Sequence, residues 1–242
     1  MIEQKIFEEK IKYYFGEYKI EIDEDKIDKF YAYANYLISE NEKYNLTAIK
    51  NFEDIILNHF VDSVMPIKYF DLPNKSKSID IGTGAGFPAL PLYIINESFK
   101  FTLLDSSKKK LEFVKNATEL IEKNPSNFLF VFGRAEEYAN DINFRESYDC
   151  AFSRAVAKLN ILCELASPFI APGGFLIAYK SKNAESEIFE SKNALEILGL
   201  KITETANFIL GEKKRTLIKI TKYKSTPVKY PRKYAEIIKR PL

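Results

Sequence analysis

An α/β fold, with a doubly wound sheet preceded by a helical N-terminal region, is the class this sequence predicts. Three observations point to it. From Ser78 onward, short apolar runs alternate with amphipathic stretches, the pattern of parallel strands joined by crossover helices. Before that point, apolar residues recur at helical rather than strand spacing. At the junction stands Ser78-Ile79-Asp80-Ile81-Gly82-Thr83-Gly84-Ala85-Gly86-Phe87-Pro88, an apolar strand running into an acidic residue and then a glycine at every second position. Such a turn takes backbone angles that a Cβ disfavours and lets a ligand lie against bare main chain at the carboxyl ends of the strands.

Taken in order, Ile2, Ile6, Phe7, Ile11, Tyr14 and Phe15 predict a first helix. A second carries Ile27, Phe30, Tyr31, Ala34, Leu37 and Ile38 on one face, with Asp23 as its N-cap. A third is expected from Phe52 to Phe70, broken at Pro66. The polar run Asn41–Ala48 connects the last two, and Asp71–Lys77 marks the boundary with the sheet. Strands are expected near 78–82, 100–105, 127–132, 148–153, 173–180, 202–209 and 215–222. Helices should fill 88–96, 107–123, 158–170 and 183–198. The late strand pair predicts a terminal hairpin, and Pro172-Gly173-Gly174 a tight turn feeding the fifth strand. The expected organisation is a helical region 1–72, a sheet domain 73–222 and a basic tail 223–242. At 242 residues the chain holds one α/β domain with about 60–80 residues to spare.

Composition removes several chemistries. One histidine and two scattered cysteines do not supply the roughly four clustered ligands of a zinc site, so no metal is expected. They equally argue against Ser-His-Asp or Cys-His catalysis. Cys150 and Cys163 read as reduced core thiols. No apolar run approaches a membrane span and the opening Met1–Lys5 has no signal-peptide core, so a cytoplasmic protein is expected. A monomer is expected because no surplus apolar helix stripe stands out. The net charge of +2 conceals an asymmetry. Lys222–Leu242 carries seven Lys/Arg against Glu236, a charge of +6 that leaves −4 for the rest. A basic tail suggests a polyanion as partner, or simply a solvated end; its prolines and tyrosines favour a segment that orders on RNA.

Spacing in the glycine turn selects the ligand. A dinucleotide fingerprint needs a third glycine where Phe87 stands. The D-x-G-x-G-x-G arrangement resembles instead the first motif of class I S-adenosylmethionine-dependent methyltransferases. Asp105, ending the run Phe101–Asp105, would sit beside the turn and accept hydrogen bonds from a ribose diol, or else cap the following helix. Gly133-Arg134-Ala135-Glu136 would frame an adenine, or place Glu136 in a first helical turn. The fourth strand end, Ser153-Arg154-Ala155-Val156, lacks the Asn/Asp-Pro-Pro-aromatic motif of exocyclic-amine methyltransferases, and no cysteine stands there for attack on a pyrimidine. An arginine there suits guanine O6, although an interior arginine paired with an acidic neighbour fits the same residues. His59 and Asp62 lie one helical turn apart, as structural residues or as part of a site.

Together these pieces resemble the glucose-inhibited division protein B family, bacterial enzymes that methylate a guanosine of small-subunit ribosomal RNA at N7. The resemblance runs through Tyr44–Thr47, His59–Ser63, Asp80–Pro88, Leu103–Ser106, Gly133–Glu136, Ser153–Ala155, Tyr179-Lys180 and Arg215–Leu217. The basic tail resembles an extension found in members from Gram-positive bacteria. The resemblance implies S-adenosylmethionine held by Asp80, Gly82, Gly84, Gly86, Phe87, Asp105, Ala135, Glu136 and Arg154. It implies that Lys109, Arg134, Lys180 and Arg215 face 16S RNA or the 30S subunit, and that Arg154 and Lys180 border the reacting guanine. Phe87-Pro88-Ala89 departs slightly from the Leu-Pro-Gly of other members. Rival readings are a methyltransferase acting on transfer RNA or protein, and a binding module without turnover.

Overall fold

The computed structural model describes residues 2–49, 51–122 and 125–242, with Pro125 described by its backbone alone. Helix α1 (Gln4–Glu17) buries Phe7, Ile11 and Phe15 at fourfold spacing. Helix α2 (Glu24–Tyr44) begins as expected at Asp23, whose side chain accepts the Lys26 N–H (3.0 Å). It ends at Asn45, held in the left-handed conformation. The third helical segment departs from expectation. Pro66 lies inside α4 (Asp62–Tyr69) without ending it; the irregularity comes earlier, as a π-helical turn (Ile56–Val61) after the short α3 (Phe52–Ile55). Such turns re-aim side chains, and this one carries His59.

The sheet comprises β1 (Lys77–Ile81), β2 (Lys100–Asp105), β3 (Phe128–Phe132), β4 (Tyr148–Arg154), β5 (Ile170–Lys180), β6 (Leu200–Leu210) and β7 (Lys213–Lys222). Their order is β3-β2-β1-β4-β5-β7-β6, with β1 to β5 parallel and β7 antiparallel to both neighbours. The expected terminal hairpin is therefore β6–β7. Pro172-Gly173-Gly174 does not precede β5 but forms an irregularity within it, between the Tyr148↔Ile170 and Cys150↔Phe175 pairs. The crossovers carry α5 (Ala89–Ile95), α6 (Lys108–Ile121), α7 (Ala135–Tyr138) and α8 (Leu159–Ala166). Position 123, where the helix of α6 was expected to end, lies outside the described residues. The expected helix 183–198 is two, α9 (Ala184–Glu190) and α10 (Lys192–Leu198), hinged at Ser191.

Each sheet face has its own core. Helices α1, α2, α4, α5 and α6 pack on one, around Phe30, Phe60, Phe101 and Phe152. Helices α8, α10 and the final α11 (Tyr234–Lys239) pack on the other, around Leu162, Phe169, Ile218 and Ile237. Full burial of such side chains stabilises by roughly 1.5–3 kcal/mol each. The tail after β7 is thus already folded onto the protein, with Tyr230 and Ile237 buried. An end that orders only on RNA does not describe it. Among the described residues no helix is long and apolar enough to cross a membrane.

Candidate functional site

Two cavities open over the carboxyl ends of the strands, and they share a wall. The first, about 400 Å³, lies against the glycine turn and is bounded by Gly82–Ala85, Phe87, Asp105 and Gly133–Glu136. The second, about 620 Å³, is bounded by Asp62, Lys180, Glu187, Lys213 and Arg215. His59, Arg154, Ala155 and Val156 border both.

The turn owes its shape to a few contacts. Gly82 (φ +72°) lies so close to Val156 that an added Cβ would stand 2.6 Å from its methyl carbon. Gly84 (φ +59°) faces open space instead, where an added Cβ would find nothing closer than 3.9 Å. Its N–H donates to Asp105 Oδ2 (2.8 Å), while Asp105 Oδ1 accepts the Ser107 N–H (2.8 Å). Asp105 thus borders the cavity with spare lone pairs, while the cap of α6 is not Asp105 but Ser107, whose hydroxyl accepts the Lys110 N–H (3.5 Å).

Asp80 is placed differently from what the motif implied. It is fully buried behind the turn and absent from the cavity wall, accepting the Thr83 hydroxyl at Oδ2 (2.7 Å). Burial raises its pKa to about 7 against the pull of that hydrogen bond. It shapes the turn from beneath.

Arg154 is the hub. Its guanidinium lies 5.0 Å from the Phe87 ring centroid and donates to the Asn58 carbonyl, Asp62 Oδ2 and Ser63 Oγ, each at 3.3 Å. Its other terminal nitrogen donates to His59 Nδ1 (3.0 Å). Arginine has no lone pair to offer, so Nδ1 is an acceptor and the ring proton sits on Nε2, donating to Thr47 Oγ1 (2.8 Å). Burial first, then Arg154, lowers the His59 pKa to about 3, so the ring is neutral. It stacks on Phe87 with centroids 4.3 Å apart. Thr47 is itself clamped by Asn41, whose side chain donates to its carbonyl (2.9 Å) and accepts its N–H (2.8 Å). The polar connection after α2 thereby becomes cavity wall.

In the second cavity every acidic group is engaged. Asp62 accepts from Arg154 at one oxygen and from Arg215 Nε (3.2 Å) at the other. Lys180, mostly buried, pairs with Glu187 (2.7 Å) and donates to the Ala157 carbonyl (2.7 Å). Lys213 donates to Asn58 Oδ1 (3.0 Å). Lys180 is therefore a structural cation bordering the space rather than a free one. Arg134, exposed to solvent, lines the rim of the first cavity, and Ala135 and Glu136 line the same cavity beside it. Lys109 lies in neither wall; it is exposed on α6, 6.0 Å from the Tyr44 ring, and the neighbouring Lys110 borders the first cavity. Sequence reasoning also passed over Thr47, Val156, Lys213 and Tyr234. The quoted runs Tyr44–Thr47 and Ser153–Val156 contained the first two, but gave neither a role, and nothing local marks Lys213 or Tyr234 as cavity residues.

Comparison with known proteins follows the same lines. The family model for GidB, described as rRNA small subunit methyltransferase G, matches residues 26–218. The ribosomal RNA small subunit methyltransferase G of Oenococcus oeni is 44% identical over 220 residues, covering 90% of each chain. That of Desulfitobacterium hafniense is 43% identical over 225 residues, 92% of each. Among solved structures, M. jannaschii TYW2 in complex with AdoMet matches with a TM-score of 0.52 at 13% identity, over 67% of this chain and 76% of that one. The mitomycin 7-O-methyltransferase MmcR matches with a TM-score of 0.54 at 14% identity, over 78% and 60%. Identities so low speak for the fold alone, which is that of S-adenosylmethionine-dependent methyltransferases. With a family match over most of its length and relatives above 40% identity, the chain belongs to the GidB family of rRNA small subunit methyltransferases G.

Proposed function

We propose that this protein transfers a methyl group from S-adenosylmethionine to N7 of a guanosine in 16S ribosomal RNA, the first cavity holding the cofactor and the second admitting the base. One observation carries the atom-level reading: the two carboxylates of the second cavity, Asp62 and Glu187, are both bound in ion pairs, and His59 is neutral with its acceptor nitrogen occupied. A ring nitrogen with a free lone pair sheds no proton on methylation, so it makes no demand for a base.

The first cavity fits an adenosyl ligand by its own features. Gly84 leaves open space at the turn, and Asp105 presents acceptor capacity for hydroxyls beside it. In our assignment Gly82, Gly84 and Phe87 supply the floor, Asp105 takes the ribose, and Ala135 with Glu136 borders the purine, whereas Gly86 lies outside the cavity wall, packed so closely against Leu90 and Tyr33 that it shapes the turn from behind. When bound, S-adenosylmethionine supplies an electrophilic methyl on a sulfonium. Arg154, fixed by four partners between the cavities, orients the guanine through O6, and Arg215 and Lys213 meet RNA phosphate. Asp62 holds Arg154 and Arg215 apart at a set spacing. Rate then comes from positioning and fixed charge. Lys109 and Arg134 extend the basic border. The protein acts as a monomer on the RNA, in the cytoplasm where ribosomal RNA is found.

The test is methyl transfer from labelled S-adenosylmethionine to unmethylated 30S subunits, naked 16S RNA and transfer RNA in parallel, with chemical cleavage at 7-methylguanosine. Label at one cleavable guanosine of 16S RNA is expected. Label confined to transfer RNA, or product that resists cleavage, would overturn substrate or atom.

A further inference from the structure

The family match ends at residue 218, yet the chain beyond it reaches the cofactor cavity. Three attachments hold this C-terminal strap. Lys222, fully buried, donates to Glu146 (2.7 Å) and to the Ser167 and Ile170 carbonyls, and Glu146 also accepts the Thr226 N–H (2.8 Å). Arg145 donates to the Thr226 carbonyl (2.9 Å) and the Tyr230 carbonyl (3.1 Å). Arg232 grips the fully buried Glu164 through Nε (2.8 Å) and a terminal nitrogen (2.6 Å), with Ile237 in the α8 core. A buried carboxylate deprived of its cation is strongly unfavourable, so the strap's position is fixed by the fold. Its path ends with Tyr234 in the cavity wall, the ring 5.4 Å from the Arg134 guanidinium.

We propose that Tyr234 is a cofactor-binding residue, its ring forming a wall for the purine of S-adenosylmethionine. The inference rests on the first cavity being the cofactor site. Direction follows from the sheet order: Asp105 ends β2, between the turn after β1 and Gly133–Glu136 after β3. A ribose on Asp105 leaves the β3 side for the purine, and that is the side where Arg134 and Tyr234 meet. An aromatic face suits a purine ring, and the guanidinium beside it restrains the tyrosine. The strap thus completes a site that the family-matched residues leave open on one side.

Calorimetry on the full chain tests this, titrating S-adenosylmethionine and, separately, adenosine. Tyr234→Leu, which keeps apolar bulk without the aromatic face, is expected to weaken both ligands about tenfold. Tyr234→Phe should stay within about twofold of wild type, since the ring rather than the hydroxyl makes the wall. Both should melt with wild type, because Tyr234 is not among the attachments. Glu164→Ala should release the strap, weakening both ligands and lowering the melting temperature. Tyr234→Leu at wild-type affinity overturns the proposal, as does a Phe variant as weak as Leu, or a loss confined to S-adenosylmethionine. Wild type failing to bind S-adenosylmethionine overturns the reading of the cavity itself.

Discussion

The two cavities that meet at Arg154 are built by opposite means. The first is made by backbone: a glycine turn, one carboxylate fixed by two N–H groups, and short segments at consecutive strand ends. The second is made by side chains from distant parts of the chain, with Asp62 from α4 joining Arg154 from β4 and Arg215 from β7. A backbone site tolerates little at its glycines and is insensitive to remote charge. A site assembled from ion pairs behaves the other way, because removing one partner strands the others. Substitutions should therefore separate cofactor affinity from transfer.

The largest effect is expected from Gly84→Asp. Aspartate tolerates the left-handed backbone better than most residues, so strain is secondary. The side chain instead occupies the open space at the turn and sets a second carboxylate beside Asp105. Affinity for S-adenosylmethionine should fall at least about 100-fold, roughly 2.7 kcal/mol. Calorimetry showing wild-type affinity would break the comparison at its first term. Next comes Asp62→Ala, which leaves Arg154 and Arg215 without their shared anion. We expect kcat to fall about 10- to 100-fold while cofactor Kd stays within about threefold, because positioning is lost and the turn is untouched. A parallel loss of cofactor affinity would mean the cavities are not independent. Arg215→Ala is milder, with about a tenfold loss in kcat/KM for RNA at unchanged cofactor Kd. Unchanged transfer would remove Arg215 from the substrate surface.

The same contrast explains what was legible in the sequence. Strands β1 to β4 could be placed because each is a short, largely apolar run bounded by turn residues, the longer β5 to β7 only through their apolar segments, and Asp23 announced α2 as a local cap. The first cavity was legible because its turn is contiguous from Asp80 to Phe87. Lys180 was recognisable as a basic residue at a strand end, but its capture by Glu187, seven positions on, depends on how α9 folds back. That Arg134 also meets the first cavity while Lys109 meets neither was not legible for a related reason: charge says nothing about which side of a helix start or strand end meets a cavity. Tyr234 lay beyond reach, since only the strap's long-range attachments bring it to the wall. The π-helical turn carries no residue signature, and Pro66 drew attention to the wrong place.

The smallest effect concerns a residue that belongs to the motif but not to the wall. Asp80 has its folded pKa raised to about 7, well above the usual carboxylate value, so the folded state holds a proton that the unfolded chain releases. Its contribution is fully present below about pH 4 and is lost as pH rises towards 7, with a slope of at most about 1.4 kcal/mol per pH unit. His59, lowered to about 3, acts with the opposite sign: the unfolded ring takes up a proton below its ordinary 6.5, so stability drops as pH falls from there. Across the overlap the two oppose, and wild-type stability alone hides both. Asp80→Asn separates them, because the amide oxygen still accepts from Thr83 and carries no titration. Relative to that variant, wild type should lose stability in urea melts as pH rises from about 4 to 7. Cofactor affinity should stay within about twofold, because the turn keeps its hydrogen bond. A difference that does not change with pH would mean Asp80 is ionised in the fold, and a large loss of affinity would return it to the cofactor wall.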